Sequence, residues 1–209
     1  AISYGESEKI IGKFDTNEFK IITKLPSIPI DCLEIDIWLE NHVRNSLKHL
    51  GIKSLYGVLL HNPRDILENF GKKLVDALYK IQLKGLINKI GLSIYDPSEF
   101  DQVLDLIKVD IIQAPLNIID RRLEYSGWLS KLKSAGVEIH VRSIFLQGLL
   151  LMPRKKIPKK FERWSFVWDK WSSELKKNKF SAIEACLSYP LSLPEVDKVI
   201  VGVNSLDQF

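Results

Sequence analysis

The chain has 209 residues and a mass of 24.0 kDa, and 45% of its residues are hydrophobic, enough to bury one substantial core. Its formal charge of +4 comes without an arginine-rich arm, zinc-ligand spacing or aromatic-basic interleaving, which argues against nucleic acid as a partner. Two distant cysteines and the lack of a long apolar run indicate a cytoplasmic protein that binds neither a metal ion nor a membrane.

Short apolar runs alternate with longer stretches of helical periodicity along the chain, a pattern typical of repeated strand-helix units. Several of the runs are apolar at consecutive positions, which indicates a sheet covered on both faces, as parallel sheets are. The predicted strands are residues 20–25, 55–60, 89–95, 110–116, 137–144 and 196–203. The predicted helices are residues 32–50, 63–86, 97–107, 121–135 and 164–187.

Residues that start or stop helices mark these boundaries. Asp96 precedes Pro97 as a cap precedes a proline in the first turn, and Gly51 and Gly136 follow predicted helices as C-terminal stops. The first residues already look like the middle of a motif, and residues 205–209 look like the first turn of a helix. We therefore expect a piece of a longer domain, with strands before Ala1 and a helix after Phe209.

Strands alternating with helices fit either a doubly wound sheet or a (β/α)8 barrel that lacks two strands. In a barrel the functional residues follow the carboxyl ends of the strands, where this chain has polar residues. These are Lys24, His61, Asn62, Ser93, Gln113, Asn117, Ser143 and Asn204. A doubly wound nucleotide-binding fold would have Gly-x-Gly-x-x-Gly after its first strand, and the sequence has no such run. We predict that residues 1–209 form a single-domain partial TIM barrel of about six strand-helix units.

Four segments, in chain order, resemble motifs of the aldo/keto reductase family. They are Tyr4-Gly5-Glu6-Ser7-Glu8, Ile21-Ile22-Thr23-Lys24, Leu59-Leu60-His61-Asn62-Pro63 and Gly85-Leu86-Ile87-Asn88-Lys89-Ile90-Gly91-Leu92-Ser93. Each motif is weak alone because short apolar motifs recur by chance, but their shared order and spacing are specific. The resemblance runs along essentially the whole chain and implies an oxidoreductase that reduces an aldehyde or ketone to an alcohol with NAD(P)H.

The resemblance assigns the catalytic roles to Tyr4, Lys24 and His61. A phenol with a pKa of about 10 is a weak acid at neutral pH, so a cation beside Tyr4 is needed to stabilise its anion after proton transfer. Lys24 would be that cation, and His61 would orient the carbonyl oxygen. In the family an aspartate pairs with this lysine, and the resemblance places it before Ala1. We therefore expect the 209-residue piece, expressed alone, to be inactive or unfolded.

The resemblance also assigns a nicotinamide dinucleotide site. Ser93 and Gln113 would hold the carboxamide, because a hydroxyl and an amide at neighbouring strand ends satisfy its donors and acceptor. The loop after the fifth strand would hold the pyrophosphate, and the segment after the sixth would hold the adenosine end. These segments contribute Arg142, Ser143, Gln147 and Gly148, and Gly202, Asn204, Ser205 and Gln208, respectively.

Three positions depart from the family pattern. Ile94 stands where an asparagine contacts the carboxamide, and Arg142 stands where an aromatic ring stacks on the nicotinamide. A guanidinium also stacks, but it adds positive charge near the hydride donor. Gln208 replaces an arginine that recognises the 2'-phosphate in NADP-preferring members. NADP is the expected cofactor, with NAD as an alternative.

Two further features outside the motifs have competing interpretations. A basic stretch is either a solvated loop or a flap that closes over the cofactor phosphates. It comprises Arg154, Lys155, Lys156, Lys159, Lys160 and Arg163. Trp164, Trp168 and Trp171 have helical spacing, which favours a packing stripe over a binding platform. Surface or packing roles are expected for His42, His49 and His140.

Two rival functions fit the same residues. A lysine at a barrel strand end also forms Schiff bases, so Lys24 would serve a lyase. The departures at Ile94 and Arg142 also suit a relative that binds nucleotide as a sensor or subunit without turnover. The resemblance implies a small carbonyl compound as the substrate class, and the sequence specifies neither that compound nor an oligomeric state.

Overall fold

The computed structural model describes residues 5–16, 18–29, 31–203 and 205–209. Among these residues, six strands form one parallel sheet in which each strand pairs with its neighbours in the chain. The strands are β1 Ile22–Leu25, β2 Leu55–Leu60, β3 Ile87–Ser93, β4 Ile111–Pro115, β5 Glu138–Arg142 and β6 Lys198–Val199. This open, partial (β/α)8 barrel confirms the predicted fold class. No described helix is long and apolar enough to cross a membrane.

Helices connect the strands, as parallel pairing requires. They are α1 Ser7–Ile11, α2 Ile35–Leu50, α3 Gly71–Leu83, α4 Phe100–Val103, α5 Arg122–Tyr125, α6 Trp128–Ser134, α7 Ser165–Asn178 and α8 Ala182–Leu191. Turns of 3-10 helix lie at Pro63–Leu67, Pro97–Glu99, Leu149–Leu151, Arg154–Lys156 and Lys159–Trp164.

The predicted helix boundaries at Gly51 and Asp96 are confirmed. Gly51 has a φ of 68°, and its backbone N–H donates to the carbonyls of Leu47 and Lys48 at the end of α2. The Asp96 side chain accepts from the Ser98 backbone N–H at 3.0 Å, and Glu99 accepts from the Asp96 backbone N–H at 3.0 Å. This reciprocal pair is a capping box, and it fixes the start of the turn that follows β3.

Two predicted long helices break at left-handed residues in the structure. The predicted helix 121–135 breaks at Gly127, whose φ of 78° is left-handed, so α5 and α6 form instead. The predicted helix 164–187 starts at Ser165 and breaks at Lys179, which has a φ of 55°. Ser181 then starts α8 with a capping box of its own. A left-handed lysine gives no signal in the sequence, which is why the second break was not predicted.

Other predicted boundaries are too wide. Residues 63–86 divide into a 3-10 turn and α3, which begins at Gly71, where a Cβ would lie 1.7 Å from the Ile66 carbonyl oxygen. The predicted strand 196–203 contains only the two-residue β6. β6 lies at the edge of the sheet and pairs only with β5, so few hydrogen bonds support it.

The main core lies between the sheet and the helices that cover one of its faces. Apolar residues of α2 at helical spacing, such as Leu39 and Val43, pack in one cluster with strand residues such as Leu60 and Ile90. A second, smaller cluster forms around Trp168, whose indole N–H donates to the Phe161 carbonyl at 3.0 Å. The packing role predicted for the tryptophan stripe is therefore confirmed, since Trp164 and Trp171 pack against the same cluster.

Candidate active site

The carboxyl edge of the sheet collects four of the predicted site residues. Lys24 lies near the end of β1, His61 directly follows β2, Ser93 ends β3 and Arg142 ends β5. Because all the strands are parallel, their carboxyl ends meet at one edge, as the sequence predicted. The Lys24 ammonium donates to the Ser93 hydroxyl at 3.1 Å, although 69 residues separate them in the chain.

The amine of Lys24 is held in a partly desolvated, positively charged environment. Burial and the nearby Arg142 guanidinium lower the pKa of Lys24 from 10.5 to about 8. Both effects act in the same direction because each disfavours the ammonium form. At pH 7 the side chain is still mainly protonated, so it is a cation close to its titration range, a state typical of functional groups.

The pKa of the His61 imidazole is affected by neighbouring cations of the same site. Burial, followed by Lys24 and Arg142, lowers the pKa of His61 below its ordinary value. The ring is therefore mainly neutral at pH 7, with one nitrogen able to donate and the other able to accept. The His61 Nε2 lies 3.1 Å from the Tyr95 hydroxyl oxygen.

The loop that carries His61 is anchored to the loop after β1. Asp65, which is buried, accepts from the backbone N–H of Ile28 at 3.1 Å and from the side-chain amide of Asn62 at 2.6 Å. Burial raises the pKa of Asp65, and these hydrogen bonds oppose that rise. Asp65 thus ties together the two loops that position Lys24 and His61.

Arg142 joins the ends of β3 and β5. Its guanidinium donates to the Ile94 carbonyl at 3.2 Å and to the Ser143 hydroxyl at 3.4 Å. The same group lies over the Tyr95 ring, 4.4 Å from the centroid. The Ile94 side chain is fully buried and has no polar atom, so it cannot make the carboxamide contact that an asparagine would make at this position.

A cavity of about 380 Å³ opens on the face of the sheet opposite the main core. Lys24 and Gln113 line it, and Gln113 is paired in register with Ser93 on the neighbouring strand. The other lining residues are Lys20, Ile22, Tyr56, Glu138, His140, Lys198 and Ile200. They alternate along the strands with core residues, so the cavity is the inside of the open barrel.

The loop after β5 has an unusual backbone. Ser143, Leu146 and Gln147 have left-handed φ values of 59°, 47° and 56°, and Gly148 follows at 85°. For residues other than glycine this conformation is strained, and such strain is concentrated at functional sites. The fully buried Asn117 donates to the Ser143 carbonyl at 3.1 Å and so holds the loop against the end of β4.

The remaining predicted residues are not part of these contacts. Tyr4 and Asn204 lie outside the described residues. Gly202, Ser205 and Gln208 follow β6 and are exposed, and the Ser205 hydroxyl accepts from the Gln208 backbone N–H at 3.3 Å in a terminal turn. The structure thus brings Lys24, His61, Ser93 and Gln113 to the carboxyl-end half of one sheet. It places Gly202, Ser205 and Gln208 in a separate surface segment.

The basic stretch is partly neutralised by acidic neighbours. Arg154 forms ion pairs with Glu162 at 3.0 Å and Asp169 at 2.6 Å, so its charge is already partnered within the protein. Lys155 and Lys156 are exposed. Of the two interpretations, a phosphate-binding flap therefore depends on these lysines rather than on Arg154.

Sequence reasoning missed one residue at this edge, Tyr95. It falls at the end of a predicted strand, but neither spacing nor a motif indicated contact with His61 and Arg142. The only signal was a large aromatic residue between buried Ser93 and the capping residue Asp96, at the edge where polar residues meet.

The fold and this edge define a partial parallel strand-helix barrel with a lysine and a histidine at the carboxyl edge of its sheet. The chain belongs to the aldo/keto reductase family, whose model matches residues 1–209. This finding confirms the resemblance seen in the motifs, and family and fold together support an oxidoreductase. No curated protein sequence matches the chain significantly.

Solved structures show the same fold. A Bacillus halodurans aldo-keto reductase in its holo form has a TM-score of 0.75 and 20% identity, with 96% of this chain and 69% of that chain covered. The Gluconobacter oxydans glycerol dehydrogenase has a TM-score of 0.69 and 19% identity, with 97% and 74% covered. At these identities the likeness shows the fold alone.

Proposed function

We propose that this chain, within one barrel domain that includes residues 1–209, reduces an aldehyde or ketone to an alcohol with NAD(P)H. The observation that carries the proposal is the meeting of Lys24, His61 and Ser93 at one strand edge, with Lys24 and Ser93 in direct contact. Members of the family generally use NAD(P)H and act on small carbonyl compounds, and this site fits that chemistry.

The proposed roles follow from the charges of the site. Tyr4 gives a proton to the carbonyl oxygen as negative charge develops there. Lys24, a cation at pH 7, stabilises the resulting phenolate, because an opposite charge nearby favours the ionised phenol. His61 is mainly neutral and donates a hydrogen bond that orients the carbonyl. A nicotinamide cofactor, when bound, would supply the hydride.

The residues present fit a nicotinamide dinucleotide. Ser93 and Gln113 are buried neighbours that offer a hydroxyl and an amide to the carboxamide. The left-handed loop after β5, with Gly148 in open space, leaves backbone groups accessible to phosphates. Ser143 and Gln147 belong to that loop, and Gly202, Asn204, Ser205 and Gln208 would hold the adenosine end. We propose NADP as the cofactor, with NAD as the alternative.

The reductase proposal is tested on the protein expressed from its intact gene. We expect NADPH oxidation with 4-nitrobenzaldehyde, and its loss in Tyr4→Phe and His61→Ala. The control is Tyr125→Phe, because Tyr125 is exposed and belongs to none of the proposed roles. Cofactor binding without turnover of any aldehyde or ketone would instead support the sensor or subunit alternative.

The cofactor is tested by titrating tryptophan fluorescence with NADPH and NADH. Tighter binding of NADPH is expected. Reversing the charges of Lys155 and Lys156 should raise the dissociation constant for NADPH if they close over the phosphates. The exposed pair Lys72 and Lys73 on α3 offers a matched control for the change in net charge. An unchanged dissociation constant for NADPH at low salt would rule out the flap interpretation.

One observation favours a second function. With a pKa of about 8, Lys24 is roughly 10% neutral amine at pH 7, far more than an ordinary surface lysine. A neutral amine is what Schiff-base formation requires. Borohydride in the presence of a keto compound would then attach the substrate to Lys24, and an unmodified protein would exclude the lyase.

A further inference from the structure

The Tyr95 side chain connects two proposed site residues but has no part in the roles described above. Its hydroxyl lies 3.1 Å from His61 Nε2, and its ring lies under the Arg142 guanidinium at 4.4 Å. The ring planes of Tyr95 and His61 are inclined at 61°, an edge-to-face arrangement. Tyr95 is 49% exposed, so this ring borders the open side of the site.

The backbone around Tyr95 is fixed at several points. Glu99 accepts from the backbone N–H of Tyr95 at 3.3 Å, in addition to its capping-box bond with Asp96. Arg142 donates to the carbonyl of Ile94, the preceding residue. A ring held from the backbone on one side and by a cation on its face has little freedom to turn away from His61.

The hydrogen bond between Tyr95 and His61 has a preferred direction. A phenol is a better donor than acceptor, and the bare nitrogen of a neutral imidazole is the strongest acceptor within its reach. When Nε2 accepts, the imidazole proton must reside on Nδ1, because the neutral ring carries only one.

We propose that Tyr95 is a positioning residue that donates to His61 Nε2 and thereby fixes the orientation and the Nδ1–H tautomer of the imidazole, with Arg142 holding the Tyr95 ring in place. The kinetic consequences rest on the proposed function, since they assign the single N–H of the neutral His61 ring, which is then on Nδ1, to the carbonyl. The tautomer itself does not, because it is a property of the protein without substrate.

Nitrogen NMR of the histidine rings tests the proposal directly. The chain has only four histidines, so His61→Ala identifies the signal of His61. We expect the Nδ1–H form in the unaltered protein and a shift towards Nε2–H in Tyr95→Phe, which removes the donor and keeps the ring. The matched control is Tyr125→Phe, which also has a guanidinium over its ring, that of Arg121 at 4.7 Å.

Titration and kinetics give two further readouts. Donation to Nε2 favours the neutral imidazole, so Tyr95→Phe should raise the pKa of His61. If the reductase function holds, kcat should fall by about three- to tenfold with little change in KM, the usual size of one lost hydrogen bond. A purely structural role for Tyr95 would leave the tautomer and the pKa unchanged.

The outcomes separate the two proposals. A His61 in the Nε2–H form in the unaltered protein overturns the positioning role, whether or not Tyr95→Phe folds. A tautomer change in Tyr95→Phe without reductase activity in any form of the protein would sustain the positioning role and refute the proposed function. Reductase activity with no tautomer change would do the reverse.

Discussion

The charged groups at the two ends of the barrel interior have opposite environments: they are paired at the amino ends of the strands, and cations lie near one another at the carboxyl ends. Towards the amino ends of the strands, Glu138 accepts from Lys89 at 2.5 Å, from Tyr56 at 2.7 Å and from His140 at 2.9 Å. Burial opposes ionisation of Glu138, but these hydrogen bonds outweigh it and lower its pKa to about 2. The same contact raises the pKa of Lys89. Every charge in this network is matched by its neighbours.

At the carboxyl ends the cations face one another instead. Burial and mutual repulsion lower the pKa values of Lys24 and His61, and Arg142 contributes to both shifts. The amino end therefore has the arrangement that stabilises a fold, and the carboxyl end has the arrangement that keeps groups reactive. In barrels, function resides at the carboxyl face, so the contrast supports the placement of the site.

The strongest test of this contrast is Lys24→Met. We expect kcat/KM to fall roughly a thousandfold, within the usual range for loss of an acid-base group. In residues 1–209 alone, without the aspartate that the resemblance places before Ala1, we also expect the free energy of unfolding at pH 7 to rise by about 2 kcal/mol, because burial and Arg142 disfavour the ammonium in the folded state. Lys20→Met is the matched control, since Lys20 is an exposed lysine at the same cavity. Lower stability in Lys24→Met would contradict the comparison.

At the amino ends of the strands, Glu138→Gln should lower the free energy of unfolding by about 2 kcal/mol, because it removes a carboxylate that accepts from three donors. This is less than the full cost of breaking a buried ion pair, because the partners are partly exposed. Little change in kcat/KM is expected. The pKa of Glu138 is about 2 in the folded state, below its ordinary value of 4.5. The stabilisation is therefore present above pH 4.5 and lost as pH falls towards 2. Glu40→Gln, in a surface ion pair, should have little effect on urea unfolding.

The pH dependence of stability should show the same contrast in the alkaline range. Below pH 8 Lys24 is charged in both the folded and unfolded states, and the folded state carries the penalty. Between pH 8 and 10.5 the folded state loses the proton first, so the contribution of Lys24 to stability rises with pH. Subtracting the urea-unfolding curve of Lys24→Met from that of the unaltered protein should reveal a rise of about 2 kcal/mol. A flat difference would mean that the amine is not desolvated.

The sequence was sufficient for features that local residues or simple topology determine. Apolar runs predicted the strands, and parallel order placed Lys24, His61 and Ser93 at one edge. The helix boundaries at Asp96 and Gly51 could be predicted because the Asp96 side chain, and the absence of a side chain at Gly51, determine the local backbone conformation.

Features that depend on tertiary contacts could not be predicted from the sequence. Lys179 is left-handed although lysine has no preference for that conformation. The contact of Tyr95 with His61 and Arg142 joins the ends of three strands, and no periodicity or spacing encodes it. The backbone strain in the loop after β5 was hidden because Ser143, Leu146 and Gln147 are not glycines.

The smallest expected effect concerns the loop after β5, and it tests whether the backbone strain of that loop contributes to cofactor binding. Gln147→Gly removes the side chain and relieves the left-handed φ of 56°, whereas Gln147→Ala removes the side chain alone. We expect Gln147→Gly to be more stable than Gln147→Ala by up to about 1 kcal/mol in urea unfolding, since glycine adopts this φ freely but costs more chain entropy. The glycine variant should nevertheless bind NADPH more weakly than the alanine variant, because its loop is less rigidly shaped before the cofactor arrives. Equal affinities would mean that the strain has no part in holding phosphates.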